Sequence, residues 1–186
     1  MLDEVDPARA EARVRELILY VAKRLEADPT AGATKADKVL FFAELANMRM
    51  RDEPLTGVEY QRLSHGPTPR RFVPIRDELA AEGAVRLETR LVGPYPQHRL
   101  IALGEPYLSG FDPDEIDAVE QVISRLWGLS AIAVSELSQQ ELGWLVVREG
   151  ETVPYSSAYL RPVGTPIPEQ VRERAAGLAR LGPGAA

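Results

Sequence analysis

The chain has 186 residues, of which 45% are hydrophobic and 27% charged, with a formal net charge of −6 and no cysteine. That length suits one domain able to bury roughly 70% of its unfolded surface, and the missing cysteines exclude disulfides, thiolate chemistry and Cys-containing zinc sites. The acidic balance weighs against nucleic acid as a main partner. The acidic start lacks the apolar core of a signal peptide, and no run approaches the roughly 20 apolar residues of a membrane span, so a cytoplasmic location without a membrane partner is expected.

Asp6 and Pro7 suit the cap and first position of a helix in which Val14, Leu17, Ile18, Val21 and Leu25 form one apolar stripe ending at Asp28-Pro29. A second helix is expected from a Thr34 cap, apolar nearly all round through Val39, Leu40, Phe41, Phe42 and Leu45, and therefore central in the core. Phe42 should be buried where it meets the first helix and the helix that starts near 112. Pro54-Leu55-Thr56-Gly57 reads as a turn, and Thr56 with Glu59 has capping-box spacing for a short third helix to about Leu63. Ser64-His65-Gly66-Pro67-Thr68-Pro69 then reads as a rigid corner between helices.

A fourth helix is expected to include Ile75 and Leu79 and to end at Gly83, with Pro74 marking a kink or late start. Residues 84–90 and 98–103 read as the two strands of a hairpin. Asp112-Pro113 and Glu115 open a fifth helix with a capping box, and a sixth is expected over about 131–142. Residues 148–168 should be mostly irregular. The fold class is therefore mainly α (α+β): a compact bundle of six or seven helices with a small antiparallel β-hairpin, winged-helix-like in part. One domain over 1–165 is expected, followed at 166–186 by an amphipathic helix and a frayed tail.

Catalytic signatures are missing. There is no nucleophile elbow, phosphate-binding loop or dinucleotide fingerprint. The two histidines, His65 and His98, have no further ligand at metal spacing, so no catalytic residue, metal or cofactor is expected and the chain reads as a binding protein. Glu44 stands out as a carboxylate inside a very apolar stretch, with Lys38 too far round the helix to be its obvious partner.

The motifs that remain resemble a known family. Lys38-Val39-Leu40-Phe41-Phe42-Ala43, the Pro54-Leu55-Thr56-Gly57 turn, Gly66-Pro67 with Pro69, Glu136-Leu137-Ser138, Gly143-Trp144 and Val153-Pro154-Tyr155 stand in the order found in the SocA-like Panacea antitoxin domain. The resemblance covers about residues 10–160. It departs at Gln139, where the family usually has histidine, and at His65, where an aromatic often precedes the Gly-Pro. The resemblance implies Lys38, Phe42, Leu55, Thr56, Gly57, Leu137, Ser138, Trp144 and Tyr155 as its motif residues. It also implies an antitoxin that neutralises a cognate protein toxin, by direct binding or as an adaptor that delivers the toxin to a protease. Homo-oligomerisation is left open.

A toxin-binding surface is expected at the rigid corner, comprising His65, Gly66, Pro67, Thr68, Pro69, Arg70, Arg71 and Phe72. Gly66 permits a sharp turn, the prolines fix their φ angles, and arginine and aromatic side chains anchor interfaces. The competing expectation is that the corner only joins two helices. A second functional class is a winged-helix-like DNA-binding regulator, with Arg70, Arg71 and Arg76 near its recognition helix. Asp77, Glu78 and Glu82 on the same helix oppose that reading.

Overall fold

The computed structural model describes residues 5–92 and 94–160. Helix α1 (Pro7–Arg24) starts as its sequence requires: the Asp6 side chain accepts the Ala8 N–H at 3.1 Å and proline occupies the first turn. Its stripe of Val14, Leu17, Ile18 and Val21 is buried. Helix α2 (Ala33–Arg51) is buried along most of its length and packs against α1 and several later elements, so the centre of the core lies where expected. Thr34 is not its cap. Gly32 takes that place, where the chain passes so close to residue 98 that a Cβ on Gly32 would lie 3.2 Å from the His98 carbonyl oxygen.

The third helix expected over 56–63 does not form. Strand β1 (Tyr60–Leu63) pairs antiparallel with β2 (Gly66–Pro69), and Gly66 at φ +100° closes their hairpin. The Thr56 hydroxyl that would have capped a helix donates instead to Glu44, and its oxygen accepts the Val58 N–H at 3.2 Å. Tertiary contacts thus override a local capping signal. The corner 64–69 is consequently a hairpin and not a joint between helices.

Helix α3 (Phe72–Ala81) holds Pro74 in its first turn, where a missing N–H breaks no intrahelical bond. Strands β3 (Val85–Val92) and β4 (Tyr95–Ala102) form the second hairpin, longer than the sequence pattern suggested. Helix α3 followed by this hairpin keeps the helix-then-wing order, but the helix that should precede α3 in a winged helix is replaced by β1–β2. Helix α4 (Pro113–Leu126) carries the expected capping box, with the Asp112 N–H donating to Glu115 at 2.8 Å. The expected helix over 131–142 is split into α5 (Ala131–Gln139) and the short α6 (Leu142–Val146). Gly143, the second residue of α6, packs closely on the later chain: a Cβ there would strike Ser157 Oγ and lie 2.9 Å from Val153 Cγ1.

Strand β5 (Thr152–Val153) pairs with the free side of β1, which completes a three-stranded sheet in the order β2-β1-β5. A 3-10 turn over Tyr155–Tyr159 then packs on α2 and α6. Phe42 is 6% exposed and lies beside α4, with the Arg125 guanidinium 5.7 Å from its ring centre. The helix and tail expected over 166–186, and the end of the domain expected at 165, lie outside the described residues.

Candidate functional site

Phe42 apart, which packs beside α4, the motif residues converge on one segment, the turn and hairpin of residues 54–69. Helix α2 grips it twice. Lys38 is fully buried, and its Nζ donates to Asp37 Oδ2 at 2.5 Å, the Pro67 carbonyl at 2.8 Å and Thr68 Oγ1 at 3.3 Å. Thr68 in turn donates to Asp37 at 2.9 Å. Two turns further along α2, the buried Glu44 carboxylate accepts the Leu55 N–H at 2.7 Å, the Thr56 N–H at 3.0 Å and the Thr56 hydroxyl. That is why the Pro-Leu-Thr-Gly turn sits where it does: Glu44 satisfies backbone donors that no strand partner reaches. Gly57, at φ +85°, ends the turn and packs so closely on Val5 that a Cβ would lie 2.7 Å from it.

Later elements grip the same segment from the other side. A Cβ on Gly66 would collide with Ser138 Oγ, so the β2 backbone packs directly on the Ser138 side chain of α5. Ser138 itself is buried, its hydroxyl donating to the Ser135 carbonyl at 2.7 Å, and Leu137 beside it packs on the core. Gln139 donates to the Ser64 carbonyl at 2.8 Å. Trp144 donates its indole N–H to the Leu63 carbonyl at 3.0 Å and stacks under Arg62, 4.1 Å from the ring centre. Tyr155 donates its hydroxyl to the Val58 carbonyl at 2.6 Å. Gln139, in the place where the family usually has histidine, thus serves to hold the hairpin.

Burial dominates the electrostatics. It pushes Glu44 up to about 7 against the opposing pull of its three donors. It also raises Asp37, with the Lys38 ammonium as the main opposing influence. A second buried pair was not singled out in the sequence: Lys35 donates to Asp28 at 2.6 Å, and neither residue is exposed. Burial pushes Asp28 up, but hydrogen bonds from Lys35, Thr30 and the Gly128 N–H outweigh it and hold the carboxyl below its ordinary value. The signal for both pairs was available. Lys35 and Lys38 are three residues apart on a helix otherwise apolar nearly all round, and cations there need internal partners.

The expected toxin-binding corner is therefore largely interior. Gly66, Pro67, Pro69 and Phe72 are buried and Thr68 is half-buried, so these residues hold the hairpin to α2 and α5. The exposed part is a rim of His65, Arg70 and Arg71. Arg70 pairs with Glu59 at 2.8 Å, and Arg71 with Glu11 at 3.1 Å and Glu78 at 3.2 Å. Arg76 pairs with Asp77 at 2.7 Å. Each arginine proposed for a DNA-recognition helix is thus paired with a carboxylate. Among the described residues, no group of three His, Asp or Glu side chains is placed to hold a metal ion. No helix there is long and apolar enough to cross a membrane.

Fold and site together define a small, mainly helical α+β domain whose motif residues lock one β-hairpin against a central helix. The family model for the antitoxin SocA-like Panacea domain matches residues 37–145, and the chain belongs to that family. The matched stretch contains Lys38, Glu44, the hairpin, Ser138 and Trp144, the residues of the lock itself. No curated protein and no solved structure matches the chain.

Proposed function

We propose that the chain is the antitoxin of a toxin–antitoxin pair, acting in the cytoplasm by binding a co-encoded protein toxin directly and not by catalysis. The observation that carries this reading is the family match across residues 37–145. The architecture supports it. Most of the motif residues are engaged in holding the 54–69 segment, and His65 together with the following Arg70 and Arg71 forms an exposed rim on that rigid base. A rigid base loses little conformational entropy when a partner docks, so more of the contact energy survives as affinity.

The test is co-expression with an adjacent open reading frame that is toxic alone. Rescue of growth and stoichiometric co-purification are expected. Arg70→Ala with Arg71→Ala should keep the fold, because exposed ion pairs contribute only about 0–1 kcal/mol each, and should weaken co-purification. Full binding by that variant would move the interface away from the rim. Rescue that disappears in a host lacking a particular protease would replace direct masking with the adaptor mechanism. An absence of both rescue and co-purification would refute the antitoxin reading.

A further inference from the structure

The β3–β4 hairpin is a two-stranded sheet with no third strand among the described residues, and its two outer edges are not alike. The Ala84 carbonyl accepts the Leu103 N–H at 2.8 Å, and Val85 lies opposite Ala102. Bonded and non-bonded pairs alternate along an antiparallel ladder. On β3 the backbone groups of Arg86, Glu88 and Arg90 therefore face β4, and those of Leu87, Thr89 and Leu91 face outward. The outward positions of β4 include Pro96, which has no N–H to offer, and His98, whose carbonyl is backed by Gly32. The β4 edge is closed. The β3 edge has no proline and presents exposed side chains, with Leu87 at 45% and Leu91 at 76%. A long open edge of this kind is a template for another strand.

The sequence of that edge is complementary to itself. Leu87-Glu88-Thr89-Arg90-Leu91 reads the same in both directions once Glu and Arg are exchanged. We propose that two copies of the chain pair through antiparallel β3 strands about a two-fold axis at Thr89. Their hairpins then form one four-stranded sheet in the order β4-β3-β3-β4. In this register Leu87 lies opposite Leu91 of the second copy, and Glu88 lies opposite its Arg90, each pairing occurring twice. The residues that exchange backbone hydrogen bonds are Leu87, Thr89 and Leu91, the ones whose groups face outward.

Neighbouring registers are worse. An axis at Glu88 opposes Glu88 to itself and Arg86 to Arg90, and an axis at Arg90 opposes that arginine to itself. Like charges directly opposite are destabilising. An axis at Leu87 keeps the charges matched but sets Leu91 against Gly83, in the turn that follows α3. Within one chain Glu88 is held by Arg86 at 2.8 Å and Arg90 at 3.0 Å, exposed pairs weak enough to be shared across the axis. The dimer does not depend on the toxin reading and is tested without any toxin.

The experiment is sedimentation equilibrium of the full chain and three variants, with melting temperature as the folding control. The parent should dimerise reversibly. Glu88→Arg alone and Arg90→Glu alone each turn two attractive cross-axis pairs repulsive, and each should weaken dimerisation by at least about tenfold. Mixed in equal amounts, those two variants should restore the parent's dimer, because the Arg at 88 of one copy then meets the Glu at 90 of the other. Thr89→Pro removes an N–H that β4 does not use and one exposed side-chain contact with His98, so it should melt close to the parent and sediment as a monomer. A parent that stays monomeric up to about 1 mM would overturn the proposal. So would a folded Thr89→Pro variant that still dimerises, or two charge variants that do not recombine.

Discussion

Replacing Gly66 by alanine probes the lock between hairpin and helix at its tightest point. Two costs combine. The residue sits at φ +100°, a conformation that disfavours any side chain by about 1–2 kcal/mol. The added methyl would also collide with Ser138 Oγ and come within 3.1 Å of Lys38 Cε and 3.3 Å of Ser138 Cβ. Overpacking of this kind costs about 1–3 kcal/mol, so the total should be about 2–5 kcal/mol, with a lower urea midpoint and an unchanged m-value. A partner variant separates the two contributions. Ser138→Ala removes the colliding oxygen and its bond to the Ser135 carbonyl, at about 1 kcal/mol alone. In the Gly66→Ala/Ser138→Ala double variant the steric part should be relieved, giving a favourable coupling of about 1–2 kcal/mol, while the φ cost remains. Additive losses would show that the Ser138 hydroxyl is not what opposes the added methyl, and a Gly66→Ala variant as stable as the parent would refute the whole account.

Phe42→Ala should cost about 3–5 kcal/mol, the range for a core phenylalanine, and a melting temperature within a degree or two of the parent would show that α2 is not central. Lys38→Met strands the buried Asp37 carboxylate and should cost about 3–5 kcal/mol. Adding Asp37→Asn should recover much of that loss in urea titrations, because no uncompensated charge then remains. Glu44 binds its proton more tightly in the folded chain, at about 7, than an ordinary carboxyl near 4.5 does. Its contribution is therefore complete below about pH 4.5 and is lost as pH rises to about 7, by up to about 3 kcal/mol, with no further change above. Glu44→Gln should abolish that slope in unfolding curves measured from pH 5 to pH 8, and an unchanged slope would assign the titration to another group.

The helices were legible in the sequence wherever capping and periodicity agreed. Asp6-Pro7 and Asp112-Pro113 with Glu115 mark real starts, and the all-round apolar character of 39–45 marks the real centre. The error over 56–63 has a specific cause. Thr56 and Glu59 have capping-box spacing, but the competitor for the Thr56 hydroxyl is Glu44, twelve residues away and invisible to a local window. The same blindness hid the site. Gly66 and its prolines do form a constrained corner, but whether such a corner faces solvent depends on Ser138 and Lys38 closing over it. The requirement for glycine at 143 is hidden for the same reason, since Ser157 and Val153, which make a side chain there intolerable, lie ten and more residues further on.

The sheet order β2-β1-β5 also governs when this protein can fold during its own synthesis. The hairpin of residues 60–69 is translated early, yet the strand that completes its sheet, the indole that caps Leu63 and the hydroxyl that holds Val58 come from residues 144–155. At about 5–20 residues per second, the nascent hairpin waits several seconds with its inner edge unpaired. Chains cut short before Trp144 would keep the contacts of Lys38, Ser138 and Gln139 but lack the third strand, the indole and the Tyr155 hydroxyl. The free side of β1 would then stay open until residues 152–153 are made.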